Sequence, residues 1–379
     1  LLNTDWYIDM MKRKFYDSDP VPFSYDKSQY VQGTRDVLYF QNDPSLLSRL
    51  GLSASKLGDY WPVEKFVEYS KIDNPAVEFT AFAQTESPKK LRWFPMKNFR
   101  VNIDKQAVLD AGVVALADSA SIVDHIDWNW QGQAIQKRDL MLIDLIASND
   151  WSRPIYFSTT VGTSAKSFFW LQKHFRLEGL AYRFVPVFTD VKNGGMDFGS
   201  VATEKMYALM VNHEGEAGKF NFGNMEKQGV YLDETTRRSS FNLRSNYGRL
   251  ANALVDKGDS AKAIETIDFA MEKMPVSKLK YDYFILSLVE GYFRAGAVGK
   301  GREHVNAFAA ELEAELRYYA TFKTTERSSV NQEVQSALQY YNMLVRMVIQ
   351  YEYQNDFSQG NLGQLDLVIT YEELASLFK

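Results

Sequence analysis

The most regular pattern of apolar positions lies in the last third of the chain. From Tyr247 apolar residues recur every three or four positions and stop at Gly258-Asp259, which predicts one amphipathic helix. A second series with the same spacing ends at Pro275, so the pair predicts a helical hairpin. The two series consist of Tyr247, Leu250, Ala251, Leu254 and Val255, and of Ala263, Ile264, Ile267, Ala270, Met271 and Met274.

This hairpin resembles a tetratricopeptide repeat, in which small residues let paired helices approach closely. A second, looser unit turns at Gly296, which follows Gly258 by 38 positions where about 34 is the norm, so an insertion of about four residues is expected in the connection. A long helix over residues 332–353 is predicted to cap the stack. A plain helical bundle is the alternative. The positions that match are Leu250-Ala251, Leu254, Gly258, Ala263, Ala270 and Pro275, then Phe284, Leu288, Val289, Tyr292, Gly301, Val305 and Phe308.

The N-terminal region has a different pattern. A helix is predicted over residues 5–15, and the proline-marked residues 17–22 predict a polar loop. Strict alternation of apolar and polar positions in residues 99–103 and 122–128 is typical of half-exposed strands. We therefore predict a small β insertion at about residues 90–130.

Apolar segments further along alternate between helix and strand. Residues 139–147 predict a buried helix and residues 154–158 a buried strand, followed by a helix near 167–175 and a strand over 180–187. This order is typical of an α/β layer with at least partly parallel strands. The predicted fold is an α+β or α/β domain over residues 1–235, its N-terminal part incomplete, followed by an all-α tetratricopeptide-like domain over residues 236–379.

Composition and charge exclude several classes of protein. With 379 residues and 45% hydrophobic side chains, the chain can form two or three folded domains. The 43 basic and 48 acidic residues give a formal charge of −5, so nucleic acid is not expected as a partner. There is no cysteine, which excludes disulfides and cysteine nucleophiles. The longest apolar stretch, residues 111–117, is far shorter than the about 20 residues that cross a bilayer, so no membrane span is expected.

No arrangement of residues predicts a catalytic centre, a metal or a cofactor. The four histidines are scattered and share no metal-ligand spacing. Asp17-Ser18-Asp19 is followed by Pro20 and is better interpreted as a turn than as a metal-binding pair. An aromatic content of 14% either marks a carbohydrate- or partner-binding surface or fills a core.

One candidate for ligand binding is the connection after the strand at residues 154–158. Ser158, Thr159, Thr160 and Thr163 stand at the carboxyl end of that strand and before a predicted helix. Ligands bind at this edge of open α/β sheets, and free N–H groups at a helix start favour anions. Ordinary N-capping explains the same hydroxyl groups.

Two arginines beside turn residues are further candidates. Arg35 precedes Asp36 in Gln32-Gly33-Thr34-Arg35-Asp36, and Arg153 precedes Pro154. A guanidinium in such a place can hold a carboxylate or a phosphate. An intramolecular salt bridge is the alternative.

Five segments, in order along nearly the whole chain, resemble the C-terminal region of a bacterial multi-spanning membrane family related to protein O-mannosyltransferases. The first segment adds Asp5 and Trp6 to the candidate ligand-binding residues. The segments are Asn3-Thr4-Asp5-Trp6-Tyr7-Ile8-Asp9 with Met11-Lys12-Arg13-Lys14, Gln32-Gly33-Thr34-Arg35-Asp36, Asn149-Asp150-Trp151-Ser152-Arg153-Pro154-Ile155-Tyr156-Phe157, Leu177-Glu178-Gly179-Leu180-Ala181-Tyr182-Arg183 and Asn242-Leu243-Arg244-Ser245-Asn246.

The resemblance implies a glycosyltransferase that uses a lipid-phosphate sugar and whose catalytic acid lies in its membrane part. The present chain would be a soluble accessory module on the periplasmic side of the bacterial inner membrane, tethered through an N-terminal transmembrane region. Its expected partners are that membrane-embedded region and a protein or glycan acceptor. No catalytic residue carries over to this chain, and a sugar or acceptor site is expected to be incomplete, because a further strand is expected before Asn3.

Two alternatives remain at this stage. The helical repeats can form a protein–protein interaction scaffold that is unrelated to sugar transfer. The chain can also be an independent α/β enzyme whose site lies at the strand edge from Ser158 to Ser164.

Overall fold

A computed structural model describes residues 2–41, 43–51, 58–81, 89–159, 171–189, 199–212, 222–353 and 366–378. The chain divides into two compact units. Unit 1 contains residues 1–157, 161–176 and 183–200, and unit 2 contains residues 158–160, 177–182 and 201–379. Mixed β-sheets with helices come first, and in the described residues from Thr203 onward every regular element is a helix. The predicted order of an α+β region and a helical region is confirmed.

The helices before residue 208 are short, and several of them start at recognisable caps. Asp43 accepts a hydrogen bond from the Ser45 amide, and Gln136 with Asp139 forms a capping box at the start of the longest one. These helices are α1 (Asp5–Met11), α2 (Lys27–Tyr30), α3 (Pro44–Arg49), α4 (Val63–Lys71), α5 (Lys105–Asp110), α6 (Lys137–Asn149) and α7 (Thr203–Tyr207), with 3₁₀ turns at Pro75–Val77 and Leu116–Ser121 and a π turn at Ala208–Asn212. Helix α6 confirms the helix predicted over residues 139–147.

The main sheet of unit 1 has the strand order β3-β4-β1-β7. Strand β1 lies parallel to β4, with Leu38 opposite Arg92, and antiparallel to β7, with Val37 opposite Gln136. A second sheet has the order β2-β5-β6. The strands are β1 (Val37–Phe40), β2 (Trp61–Pro62), β3 (Glu78–Ala81), β4 (Lys89–Phe94), β5 (Asn98–Asn102), β6 (His125–Asn129) and β7 (Ala134–Gln136).

Strands β5 and β6 form the predicted β insertion. They pair antiparallel, with Phe99 opposite Trp128 and Val101 opposite Ile126. These four apolar side chains are buried while their neighbours along each strand are more exposed, as the alternating pattern predicted. The second strand starts at His125, three residues later than expected.

Aromatic side chains fill the core of unit 1. The rings of Phe66, Phe94 and Phe99 have no exposed surface and lie 4.8–5.7 Å from one another between centroids. Trp61 and Tyr69 pack edge-on against Phe94 at 5.0 and 5.1 Å. Much of the high aromatic content is therefore accounted for by core packing.

The remaining strands form a sheet with the order β11-β9-β10-β8. The predicted strand at residues 154–158 corresponds to β8, and the one at residues 180–187 corresponds to β10. Of the helix predicted near residues 167–175, residues 167–170 lie outside the described residues, residues 171–174 form a 3₁₀ turn, and Phe175 begins β9. The bounds are β8 (Tyr156–Ser158), β9 (Phe175–Glu178), β10 (Ala181–Phe184) and β11 (Ser200–Val201).

The helical part of unit 2 contains the predicted hairpins. Gly258 and Gly296, with φ of +82° and +86°, form the turns of two successive helix pairs. The helices are α8 (Glu234–Asp256), α9 (Ser260–Lys273), α10 (Leu286–Arg294), α11 (Val298–Ala320), α12 (Thr324–Arg327), α13 (Asn331–Glu352) and α14 (Asp366–Ser376), with 3₁₀ turns at Tyr283–Ile285 and Ser328–Val330. Helix α13 confirms the long helix, whereas α14, whose Tyr371 ring stacks on Tyr341, had no counterpart in the prediction.

Small residues set the spacing of these helices. A Cβ added at Gly248 of α8 would lie 2.0 Å from Ser287 Oγ of α10. A Cβ added at Gly291 of α10 would lie 2.9 Å from Ile267 Cδ1 of α9. Close approach through small residues is the feature that the repeat pattern predicted, while assignment to the tetratricopeptide class stays a prediction.

The stretched connection between the two hairpins is fixed by Arg244 of α8. Its guanidinium donates to the carbonyl oxygens of Lys280 at 2.7 Å, Met274 at 3.2 Å and Leu279. Leu279 is fully buried. The residues between α9 and α10 are therefore an ordered part of the unit.

No helix of the described residues is long and apolar enough to cross a membrane.

Candidate functional site

An open cleft of about 710 Å³ lies within unit 1. It is formed by the start of α1, the loop before β1 and the junction of β7 with α6. Three of the candidate residues from the sequence, Asp5, Trp6 and Asp36, line it. The full lining is Asn3, Thr4, Asp5, Trp6, Gln32, Asp36, Val37, Gln136 and Lys137.

The sheet register brings these segments together. Val37 at the start of β1 lies opposite Gln136 at the end of β7. The Lys137 amide donates to the Asp36 carbonyl at 2.9 Å, which continues the pairing by one residue. The segment before α1 is connected to α6 through Asn3, whose Oδ1 accepts a hydrogen bond from the Arg138 amide at 2.9 Å. The first turn of α6 is therefore held by segments more than 100 residues earlier in the chain.

A buried lysine lies in the wall of the cleft. Lys137 is only 4% exposed, and its Nζ lies 3.1 Å from Asp5 Oδ1 and 2.8 Å from Asp36 Oδ1. The other oxygen of each carboxylate accepts a backbone hydrogen bond, from the Gln32 amide at 2.8 Å and the Gly33 amide at 2.7 Å. A buried ammonium is tolerated only with such partners, since desolvation of an unpaired charge is costly.

These contacts keep Asp5 ionised. Burial raises the pKa of Asp5, but the hydrogen bond from the Gln32 amide and the contact with Lys137 outweigh it, so the pKa lies below its ordinary value. Asp5 and Asp36 retain 31% and 44% side-chain exposure. The cleft thus presents two partly exposed carboxylates on a fixed frame.

Trp6 is the aromatic element of the cleft. Its side chain is 62% exposed, and its ring meets Tyr7 edge-on at 5.7 Å between centroids. Most large rings of unit 1 that were described above are buried in the core. Trp6 instead places an exposed indole beside the carboxylates of the cleft.

Arg35 points away from the cleft although it is next to Asp36. It is 3% exposed, and its Nε donates to the Ser70 carbonyl at 2.7 Å. Its Nη2 donates to the Lys71 carbonyl at 2.9 Å and to Asp73 Oδ1 at 2.8 Å. The intramolecular salt bridge considered for this arginine is present, and the guanidinium is occupied by the protein itself.

Arg153 lies elsewhere in unit 1. Its Nη1 donates to the carbonyl oxygens of Asp19 and Pro20 at 2.8 and 3.2 Å, so it holds the polar loop predicted at residues 17–22. The small cavity beside it has a volume of about 10 Å³, about enough for one water molecule. The nearby Trp151 adopts a positive φ of 57° and stacks on Phe184 at 5.3 Å.

The strand-edge candidates are only partly described. Thr159 Oγ1 donates to the Leu180 carbonyl at 3.2 Å, and Ser158 is the last residue of β8. Thr160 and Thr163 lie outside the described residues. A ligand site at this strand edge therefore stays a prediction.

The described histidines each contact other residues. His174 is buried with its Nδ1 3.2 Å from the Val187 carbonyl, and burial lowers its pKa to about 4. His304 stacks on Tyr292, and His125 lies 3.4 Å from Asp127. His213 lies outside the described residues. Over the described ranges, no group of three or more acidic, histidine or cysteine side chains has the arrangement of a metal site.

Sequence reasoning missed Lys137, the residue at the centre of the cleft. One signal could have found it, because the spacing of Gln136 and Asp139 is that of a capping box. Lys137 is then the first residue of α6, where the positive end of the helix dipole disfavours a cation. A lysine in that position needs acidic partners, and these came from Asp5 and Asp36, which the sequence could not place beside it.

Comparison with known families gives one match. A family model described as TMEM260-associated domain 2 matches residues 1–205. The matched stretch contains every residue that lines the cleft. No curated protein and no solved structure matches the chain.

Proposed function

The chain belongs to the family of TMEM260-associated domain 2, and we propose that it is an accessory module of a membrane-bound protein glycosyltransferase that uses a lipid-linked sugar. In this proposal the module acts in acceptor binding or assembly and is not itself catalytic. It lies on the periplasmic side of the bacterial inner membrane. Its partners are the membrane-embedded transferase region of the same protein and a protein or glycan acceptor.

The family match carries the proposal. TMEM260 is an O-mannosyltransferase-like membrane protein, and the family takes its name from association with it. The segments that led to the same expectation from sequence include Asn3-Thr4-Asp5-Trp6 and Gln32 to Asp36, which supply most of the cleft lining. The match and the cleft therefore fall on the same residues.

The chemistry of the cleft suits binding better than catalysis. Asp5 and Asp36 each give one oxygen to Lys137 and one to a backbone amide. Carboxylates fixed in this way cannot swing toward a reacting atom, but they remain able to accept hydrogen bonds from a ligand. This arrangement supports the proposed accessory role in acceptor binding.

The helical hairpins of unit 2 favour a second candidate function, a protein–protein scaffold with no link to sugar transfer. The packing of α8, α9 and α10 through Gly248 and Gly291 is the observation that favours it. The reading frame upstream of residue 1 distinguishes the two candidates. A frame without membrane-spanning segments would leave only the scaffold.

The proposal is tested by comparing cells that produce the full-length protein with cells that produce a variant lacking residues 1–379. We expect loss of acceptor glycosylation, measured by mass spectrometry of acceptor proteins, with the membrane region still present by immunoblot. A variant that lacks only residues 234–379 shows whether the helical part is needed for acceptor use. Unchanged glycosylation after removal of all 379 residues would contradict an accessory role.

The location is tested with a single cysteine, because the chain has none of its own. Tyr231 is 84% exposed, so Tyr231→Cys provides an accessible thiol. A membrane-impermeant maleimide should label this variant in intact spheroplasts, and the parent protein without the substitution is the control. Labelling that requires permeabilised membranes would place the module on the other side.

A further inference from the structure

We propose that the cleft of unit 1 binds a neutral saccharide, with Trp6 as the stacking surface and Asp5 and Asp36 as hydrogen-bond acceptors for its hydroxyl groups. The inference rests on the proposed function and adds the chemical class of the ligand. It is carried by the size, charge and side-chain composition of the cleft.

The size of the cleft fits a small ligand. Its volume of about 710 Å³ lies within the range of about 300–1,000 Å³ that small-molecule sites have. The lining includes Asn3, Gln32 and Gln136, whose amide groups can both donate and accept hydrogen bonds. A mono- or disaccharide matches both the space and this polar lining.

The charge of the cleft disfavours an anion. Its charged lining consists of Asp5, Asp36 and Lys137, so the carboxylates outnumber the ammonium. The ammonium is 4% exposed and already lies between the two carboxylates. A phosphate or carboxylate ligand would therefore meet net negative charge, whereas a neutral ligand carries no such penalty.

The carboxylates retain capacity for further hydrogen bonds. Each oxygen of Asp5 and Asp36 is engaged by one donor, from Lys137 or from the Gln32 and Gly33 amides. A carboxylate offers about four lone-pair sites, so each oxygen can accept a second donor. Because these contacts hold the carboxylates in place, little conformational freedom is lost when a ligand binds. Sugar hydroxyl groups are donors of the required kind.

Trp6 supplies the apolar part of the site. A pyranose ring has one face of C–H groups, and an exposed indole offers a flat apolar surface with a polar N–H edge. The side chain is 62% exposed and packs against Tyr7, so a ligand can reach the indole without any change in α1. A quaternary ammonium ligand would instead need an aromatic cage, and among the described residues Trp6 is the only aromatic one in the cleft lining.

The test uses the 379-residue chain with ¹⁵N-labelled tryptophan and methyl α-mannopyranoside and methyl β-glucopyranoside as probes. We expect a saturable shift of the Trp6 indole signal, assigned from Trp6→Phe, with a Kd of about 1–10 mM because the ligands have few atoms. Ligand-detected saturation transfer then compares the variants. Trp6→Ala should weaken binding by about tenfold or more, while Trp6→Phe keeps part of the affinity.

Tyr16→Ala is the matched control, because Tyr16 is an 84% exposed aromatic residue that does not line the cleft. It should leave binding unchanged. The inference is overturned if neither glycoside gives a saturable shift, if binding survives Trp6→Ala, or if inorganic phosphate or choline binds in place of the glycosides. If deleting the module still abolishes glycosylation in that case, the proposed accessory function stands although the saccharide inference fails. If the module binds a glycoside but its deletion leaves glycosylation unchanged, only the proposed accessory function is contradicted.

Discussion

Two of the buried cations, Lys137 of unit 1 and Arg244 of unit 2, are held by different chemistry. Lys137 lies in the cleft of unit 1 and is paired with two carboxylates that keep 31% and 44% side-chain exposure. Arg244 lies in the helical part of unit 2, is fully buried, and donates to the backbone carbonyls of Met274, Leu279 and Lys280. The ammonium is a compact charge that two anions can share, whereas the guanidinium is a planar fork that matches several carbonyls.

The neighbouring carboxyl groups respond in opposite directions. Contacts with the Gln32 amide and Lys137 hold the pKa of Asp5 below its ordinary value, although burial raises it. Burial raises the pKa of Asp282 to about 6, because its distance of 3.7 Å from Arg244 compensates only in part. Asp5 of the cleft is therefore held in its charged form, which suits a hydrogen-bond acceptor. The hairpin region uses its arginine to fix a connection, which is a structural task.

The largest expected effect is that of Arg244→Met. Three backbone carbonyls would lose their donor in the interior, and Asp282 would lose the nearest cation. We expect the free energy of unfolding of unit 2 to fall by about 3–5 kcal/mol in urea denaturation, since removal of one partner leaves buried polar groups unpaired. Arg238→Met, on the same helix but 78% exposed, should cost less than about 0.5 kcal/mol. Equal effects of the two variants would contradict the role given to Arg244.

The next largest expected difference between the two regions is in how their free energies of unfolding depend on pH. Because folding raises the pKa of Asp282 from 3.8 to about 6, the folded state keeps a proton that the unfolded state releases between about pH 4 and pH 6. Its contribution to the free energy of unfolding therefore falls as the pH rises through this window, by about 3 kcal/mol in total. Asp282→Asn should remove that fall while it keeps the cap on the Ile285 amide.

Asp5 should show the opposite dependence. Its pKa is lowered by folding, so its contribution is present above the ordinary value of 3.8 and is lost as the pH falls through the folded pKa. Hydrogen exchange measured from pH 3 to 7, with the amides of unit 1 and unit 2 followed separately, would test the direction of the pH dependence in each unit. A parallel response of both regions would contradict the comparison.

A smaller effect is expected from Lys137→Met. Asp5 and Asp36 would lose their shared cation, but both are partly exposed and can be hydrated in its absence. We expect the free energy of unfolding of unit 1 to fall by about 1–3 kcal/mol in urea denaturation. Lys27→Met, which removes a 64% exposed lysine from its pair with Asp9, is the matched control and should change stability by less than about 0.5 kcal/mol. A stable Lys137→Met protein would show that the carboxylates do not need this cation.

The hairpin region was more readily predicted than the cleft because its contacts follow local spacing. Leu250, Leu254 and Ile267 recur at helical intervals and are all fully buried, and Gly258 forms the expected turn. The cleft depends instead on contacts such as that between Asp5 and Lys137, which are 132 positions apart. No periodic signal links such residues in a single sequence.

The sequence motifs identified segments that form the cleft, but not every candidate side chain in them faces it. Asp5, Trp6 and Asp36 line it, while the adjacent Arg35 turns inward to Ser70 and Lys71. Arg35 and Asp36 are neighbours in the bend before β1, yet their side chains contact different parts of unit 1. A motif alone does not say which of the two faces the cleft.

Gly248→Ala sharpens the comparison by perturbing the hairpin region through packing alone. Gly248 lies one turn after Arg244 on α8, and an added Cβ would lie 2.0 Å from Ser287 Oγ and 2.8 Å from Ser287 Cβ. Alanine normally stabilises a helix relative to glycine, but this contact requires the two helices to separate. We expect the free energy of unfolding of unit 2 to fall by about 1–3 kcal/mol in urea denaturation, with no change in its pH dependence.

A matched glycine and a double variant make this result decisive. Gly299, near the start of α11, has no atom within 4 Å of an added Cβ, so Gly299→Ala should be neutral or stabilising by up to about 1 kcal/mol. Ser287→Gly removes the hydroxyl and Cβ that Gly248→Ala would strike, and the double variant should recover part of the loss. Recovery would show that the hairpins are spaced by this one close approach. Strictly additive losses would instead mean that the helices yield elsewhere, and the small-residue spacing would no longer explain the resemblance to a repeat.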